Sequence, residues 1–320
     1  MALPELLKGN LRLPLIGAPM FIISRPELVI AQCAAGVVGS FPALNARPQA
    51  ELDNWLTEIK DGLAQHKDEK PNDPVAPFAV NQIVHMSNTR LYADMETCVK
   101  HEVPIIITSL RPPDEVVKAV HAYGGLVFHD VISLRHARKA MEQDVDGIIA
   151  VCAGAGGHAG TLSPFALVKE IRREFDGALI LSGCMSSGAD VLAAQAMGAD
   201  LAYVGTRFIA TEEAHAAADY KKMIVDSNAV DIVYSSYFSG VSGNYLKDSV
   251  RQAGFDPEEL PAGDITTMDF AKRDENEAKA WKDIWSAGQG SGGVTDVLPT
   301  RDLILRMEEE YESTRSRLAG

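Results

Sequence analysis

The sequence predicts a single (β/α)8 barrel of the TIM type, with an insertion and C-terminal helices covering the barrel mouth. Three observations lead there. Short apolar runs rich in β-branched residues recur eight times between Leu13 and Thr206. Helical patterns separate them, as parallel strands with helical crossovers require. Glycine-rich segments then follow the later runs, where a barrel carries its functional loops.

The expected strands are 13–19, 37–41, 78–84, 104–110, 125–131, 147–151, 178–183 and 201–206. Helices are expected at 26–35, 113–124, 133–143, 164–175 and 188–198. Several have apolar residues three and four apart, the spacing of a helix that covers a sheet. Several end in glycine, a helix stop. A doubly wound open sheet is the alternative. It usually has fewer strands and a G-x-G-x-x-G after the first, whereas here strand one runs into APMFIIS. Beyond Thr206 the pattern changes. Residues 212–265 read as the eighth helix interrupted by an insertion over the mouth. A polar stretch follows at 269–285, then a glycine-rich loop, SAGQGSGG, at 286–293. Residues 299–318 read as a charged amphipathic helix. With no internal repeat or low-complexity linker, residues 1–320 are expected to form one domain with a cap region at about 212–295.

Composition narrows the function. Hydrophobic residues are 46% of the 320 and charged residues 23%, enough for a sizeable core. A net charge of −14 repels polyphosphate and argues against nucleic acid. It does not oppose a small phosphate held by backbone N–H groups. The four cysteines are widely spaced and form no C-x-x-C pair, so no metal site is expected and a reducing cytoplasm fits. The N-terminal stretch does not read as a signal peptide, and no apolar run approaches the ~18 residues of a membrane span.

The most informative motif is GAGGHAG (154–160), directly after strand six. Gly156 and Gly157 would let a planar ligand approach the backbone. His158 would stand at the barrel mouth, where an imidazole can exchange protons near neutral pH. The plainer reading is a surface loop with an incidental histidine. SGCMSSGAD (182–190) follows strand seven and VGTRFIAT (204–211) follows strand eight. Loops at these two strands are the recurrent phosphate site of the barrel. There Gly183, Gly205 and the Thr206 hydroxyl can present donors without adding positive charge, although tight turns alone would also need such glycines. GAPM (17–20) ends strand one, and Met20 could lie against an aromatic ring or simply fill the core. Asn81 in strand three, and His129 with Asp130 in strand five, are further candidates. A turn-forming asparagine and a buried hydrogen-bonded pair are their plain readings.

Together these segments (GAPM, GAGGHAG, SGCM, GADLAYVGTRFIAT and WSAGQG at 285–290), in this order across nearly the whole chain, resemble the nitronate monooxygenase (2-nitropropane dioxygenase) family. The resemblance implies non-covalent FMN. Ala18, Pro19 and Met20 would line the flavin, Asn81 would bind its ring edge, and His129, Gly156 and Gly157 would border it. Gly183, Cys184, Gly205 and Thr206 would hold the phosphate. His158 would be the catalytic residue, and Gln289 in the glycine-rich loop is a candidate donor to substrate. The implied reaction oxidises an alkyl nitronate, in some members also a nitroalkane, with O2 to a carbonyl compound and nitrite. Two departures stand out. Cys184 occupies a position that is commonly glycine. His129-Asp130 stand where some relatives have a lysine. The same superfamily includes NAD(P)H-dependent reductases of quinones and enoyl thioesters, which is the alternative reading, with NAD(P)H as a further partner. A non-catalytic flavin-binding protein is a third. A homodimer is compatible with the sequence.

Overall fold

The computed structural model describes residues 3–263 and 283–320. Eight parallel strands form the barrel: β1 (Leu15–Gly17), β2 (Ser40–Pro42), β3 (Ala79–Val84), β4 (Ile105–Leu110), β5 (Leu126–Val131), β6 (Gly147–Val151), β8 (Ala178–Ser182) and β9 (Leu201–Val204). They neighbour one another in the order β1-β9-β8-β6-β5-β4-β3-β2. Closure runs through Val38, just before β2. Gly17 N–H donates to the Val38 carbonyl at 2.7 Å, and Val38 N–H donates to Leu15 at 3.1 Å. All eight expected strands are present; β1 and β9 are clearly shorter than their apolar runs, and β2 begins at Ser40, late in its run.

The pleat sorts side chains into two layers. Ile16, Ile107, Phe128, Ile149, Ile180 and Leu201 fill the barrel interior. Their strand neighbours Leu15, Ile106, Val127, Ile148, Leu179 and Ala202 pack outward beneath the helices. That is why the strands read as continuous apolar runs: both faces are buried.

Seven helices follow strands on the outside: α1 (Pro26–Ala34), α2 (Glu51–Glu69), α3 (Leu91–Lys100), α4 (Asp114–His121), α5 (Leu134–Met141), α6 (Pro164–Arg172) and α7 (Gly188–Met197). The α7 start is set by a capping box, with Ser187 and Asp190 bonding each other's backbone N–H groups. Gly198 ends the helix at φ 108°. Only a short helix, α8 (Thr206–Ile209), follows β9.

The eighth place in the ring is filled from the far end of the chain. The sequence suggested an interrupted eighth helix within 212–265 and a C-terminal amphipathic helix over the mouth. Instead α11 (Thr300–Ala319) packs between α7 and α1 on the barrel flank. Its Leu303, Ile304 and Met307 join the outer core. Tyr311 Oη bonds Gln195 at 2.5 Å, Glu310 accepts from Gly188 N–H at 2.8 Å, and Arg12 pairs with Glu308 at 3.0 Å. The periodicity of 299–318 showed a helix but not which surface its apolar stripe meets.

The insertion carries α9 (Ala218–Asp226), β10 (Ile232–Ser235), β11 (Gly243–Leu246) and α10 (Lys247–Gln252). β10 and β11 form an antiparallel sheet that is completed by β7, the two-residue strand Gly157–His158. The barrel's own glycine loop is thus the third strand of the cap. Ile209, Tyr220, Ile224, Leu246 and Ala287 make a separate core with Ile23 and Leu28. Trp285 stacks on Tyr220 at 4.8 Å. Most of the polar stretch read at 269–285 lies outside the described residues. Among the described residues no helix is long and apolar enough to cross a membrane.

Gly188 tests the α7–α11 contact. A Cβ there would lie 1.8 Å from the Met307 carbonyl and 2.6 Å from Tyr311 N, and a helix backbone cannot yield as a flexible side chain can. Gly188→Ala is expected to destabilise the fold by about 1–3 kcal/mol despite alanine's better helix propensity. Urea unfolding measures it, and an unchanged midpoint would show that α11 is not seated on α7.

Candidate functional site

Glycine makes the mouth possible by letting three backbone segments touch. Gly154 and Gly156 follow β6, Gly183 and Cys184 follow β8, and Gly288 to Gly293 return from the cap. Gly288 lies against the first of these: a Cβ on it would sit 2.5 Å from the Gly154 carbonyl and 2.8 Å from Gly156 N. A Cβ on Gly290 would meet the Cys184 backbone at 2.9 Å. Gln289 N–H donates to the Gly154 carbonyl at 2.9 Å, and Gly288 N–H donates to Thr206 Oγ1 at 2.9 Å. That last bond leaves the threonine's own proton available to donate. Gly205 faces Ala18 and Met20, whose nearest atoms would be 3.4 Å and 3.8 Å from a Cβ. The structure therefore brings together Ala18, Met20, Gly156, Gly183, Cys184, Gly205 and Thr206, with Pro19 between Ala18 and Met20.

This cradle takes no cation from the helix beginning at Thr206. Arg207 is buried and turned away, its guanidinium bonding Asp296 Oδ1 at 2.8 Å and the carbonyls of Ala210 and Asp296. An anion here would rely on backbone N–H groups and the Thr206 hydroxyl.

His158 lies two residues beyond Gly156, on β7. Gly243 pairs with it across the cap sheet, and Asn244 Nδ2 fixes the loop by donating to the Ala155 carbonyl at 2.6 Å. His158 Nε2 is 3.0 Å from Ser239 Oγ. The serine's single proton goes to the Val241 carbonyl at 2.9 Å, because a carbonyl can only accept. Ser239 therefore accepts from the imidazole, which carries its proton on Nε2. Burial pushes the His158 pKa down to about 4, so the ring is neutral at neutral pH. Ser239 was not singled out by sequence. It lies 81 positions from His158, in turn-rich text without a local motif.

Strand five separates from the expectation. Val127 and Val131 point outward and Phe128 inward. The alternation puts His129 on the outer side and Asp130 on the inner side. His129 Nδ1 is 2.8 Å from Thr108 Oγ1, behind the barrel wall, and burial lowers its pKa to about 4. The structure does not bring His129 to the mouth. Asp130 faces inward instead and accepts from Ser109 Oγ at 2.6 Å. Asn81 also faces inward, its amide donating to Ser109 Oγ at 2.9 Å and to the Ile107 carbonyl at 3.3 Å. Counting by two from Phe128 would have found Asp130 in the sequence.

Gln289 is exposed, but its neighbours are Cys184 Sγ, at 3.9 Å, and Gly154. It stands at the glycine cradle, whereas His158 is held by Ser239 and β11. Cys184 is the one exposed thiol of the four cysteines.

Cys184 adopts φ 57°, the left-handed region. A side chain there costs about 1–2 kcal/mol, and glycine's extra unfolded-state freedom offsets about 0.5–1 kcal/mol of the relief. Cys184→Gly is expected to raise stability by under about 1 kcal/mol in denaturant unfolding. A loss would mean that the thiol's contacts with Ala153 and Gln289 outweigh the strain.

The nitronate monooxygenase family model matches residues 5–310. A nitronate monooxygenase of Paraburkholderia phytofirmans is 25% identical, over 95% of this chain and 94% of its own. Among solved structures, a nitroalkane oxidase from Streptomyces ansochromogenes superposes with a TM-score of 0.78 at 22% identity, over 98% of this chain and all of that one (100%). FabK from Thermotoga maritima gives 0.77 at 23%, over 99% and 97%. The two structures show the same barrel. With the family model spanning nearly the whole chain, the conclusion is plain: this protein belongs to the nitronate monooxygenase family and is a flavin oxidoreductase of that type.

Proposed function

We propose that the chain binds FMN in the barrel mouth and oxidises alkyl nitronates with O2 to a carbonyl compound and nitrite. The observation that carries this reading is the course of one short loop. It touches the glycine cradle at Gly156 and, two residues on, holds a half-buried neutral histidine.

The residues present fit the cofactor. The cradle offers Gly183, Cys184, Gly205 and Thr206 to a phosphate without a competing carboxylate among the contacts described above. Ala18, Pro19 and Met20 offer a backbone edge and a polarisable thioether to a flat ring. Asn81 stands in the inner layer below, and Gly156 and Gly157 leave room for the ring beside the loop. Bound there, the flavin supplies the electron acceptor that O2 then regenerates.

The protein's own part is to place and polarise the substrate. Ser239 holds His158 with its proton on Nε2, which leaves the lone pair on Nδ1. A base works best when its pKa lies near the working pH. Held near 4, His158 is a weak base at neutral pH, so removing a carbon-bound proton from a neutral nitroalkane is uphill. A preformed nitronate needs no such step. The geometry therefore favours nitronate over nitroalkane, with His158, whose one N–H is given to Ser239, shaping the mouth beside the substrate. The alternative, NAD(P)H-driven reduction of a quinone or enoyl thioester, has the FabK likeness on its side, and that likeness concerns the fold.

Purified protein should show a flavin spectrum that nitronate bleaches under anaerobic conditions and NAD(P)H does not. Rapid bleaching by NAD(P)H would transfer the assignment to the reductases. Gly205→Asp, which places a negative charge where the phosphate is to sit, is expected to give folded protein with little FMN. Full flavin content would remove the phosphate from this cradle.

His158→Asn should lower nitronate turnover about 10²-fold or less and abolish any nitroalkane turnover, while retaining FMN. In the wild type, activity that needs the neutral ring should be level from neutral pH downward and fall only as pH approaches about 4, where the imidazole gains its proton. Steady-state rates on both substrates decide the matter, and an unimpaired variant would dismiss His158 from catalysis.

A further inference from the structure

Below the mouth, the inner faces of β3, β4, β5 and β9 carry a connected group of polar side chains in a largely apolar interior. Asn81 donates to Ser109 Oγ, and Ser109 has one proton, which it gives to Asp130 Oδ2 at 2.6 Å. The direction of this chain is fixed, and both donors point toward the carboxyl. Asp130 Oδ1 and Tyr203 Oη are buried, and neither has a hydrogen-bond partner among the described residues.

Among the described residues, no cation answers Asp130 in this layer. Asn81 faces it from β3, Ser109 from β4 and Tyr203 from β9, while β6 contributes the apolar Ile149. His129, its neighbour on β5, points the other way. A buried carboxylate held by one hydroxyl is poorly compensated and favours its neutral form. Burial raises the Asp130 pKa to about 7 against the pull of the Ser109 bond. Burial and the nearby carboxyl drive Tyr203 well above its usual range, so it remains a neutral phenol. Asp130 is thus the one group of this layer that changes charge near neutrality.

We propose that Asp130 is the proton acceptor in the floor of the flavin site, taking a proton from water as the ring above gains electrons and releasing it on reoxidation. This rests on the flavin reading given above. Electrons enter from the nitronate and leave to O2. At Asp130 the step is carboxylate plus proton to carboxylic acid, with no bond formed to the ring. The physical cause is that negative charge arriving nearby raises a carboxyl's proton affinity. By linkage, an ionised Asp130 resists reduction until that proton enters. The sign follows. Just above pH 7 the oxidised protein holds a carboxylate that reduction converts to the acid, so an additional proton enters; far above pH 7 the carboxylate stays ionised and only opposes reduction. Well below pH 7 the acid is already formed, and Asp130 adds nothing.

The test compares wild type with Asp130→Asn, both loaded with FMN and reduced anaerobically by dithionite against a reference dye. At about pH 9 the wild-type flavin should be harder to reduce, shifting the partition with the dye by roughly tenfold, the equivalent of one unit of proton affinity. At about pH 6 the two proteins should coincide. A pH indicator should report more proton uptake by the wild type at about pH 7.5, where the carboxylate of the oxidised protein becomes the acid on reduction. Asp130→Ser serves if the asparagine variant does not fold. Flavin-loaded proteins that partition alike at both pH values overturn this proposal alone. A wild type that neither carries nor takes up flavin overturns the reading beneath it as well.

Discussion

Gly288 sits where no side chain can go, against the carbonyl of Gly154 and the N–H of Gly156. Much of the mouth depends on that contact. It brings the segment returning from the cap onto the loop after β6, and Gln289 N–H then bonds Gly154 while Gly288 N–H reaches Thr206. Three loops separated by up to about 130 residues are fixed to one another through backbone groups and one threonine hydroxyl. With the loop after β6 pinned at Gly154 and Gly156, the next residues, Gly157 and His158, are free to extend and pair with β11. The cap and the barrel thus share a strand, and the histidine lies on it.

A backbone-built site also suits a chain with this charge. A net charge of −14 would seem to oppose a phosphate-bearing cofactor. Arg207, next to Thr206 in the chain, is committed to Asp296 and holds the segment before α11. What faces the cradle is N–H and hydroxyl. Their attraction is local and directional, whereas the long-range field of the surface carboxylates is screened within about 10 Å in ordinary salt. The sign of the total charge therefore says little about this pocket.

Much of this was legible in the sequence. The strands could be read because they are buried on both faces and lie between helices of strong pattern, and the glycine loops because they follow strand ends. What was lost has particular causes. The apolar stripe of 299–318 looks the same whether it covers the mouth or fills the gap between α7 and α1. Ser239 lies too far along the chain from His158 for spacing to connect them. His129 was carried as a cofactor neighbour through a resemblance, although the parity of the strand places it outside: Val127 and Val131 are outward, so His129 is outward too. Asp130 is the inward residue of that pair, and its buried, half-satisfied carboxyl was invisible without the barrel around it.

Burial acts in opposite directions on the two groups that matter most. It lowers the His158 pKa to about 4 and raises the Asp130 pKa to about 7, in each case because the charged form loses water. The histidine is consequently neutral throughout the range in which the carboxyl titrates. Its value lies in orientation, since Ser239 fixes which nitrogen carries the proton, and the same enclosure that provides Ser239 makes it a weak base. The carboxyl has no such fixed role in one charge state. It lies within reach of either form at neutral pH, with one hydroxyl donor, itself aligned by Asn81, on one oxygen and no partner on the other. Environments that push two titratable groups apart in this way divide the work between them. Under the function proposed here, the division would assign substrate geometry to the cap and charge adjustment to the barrel floor.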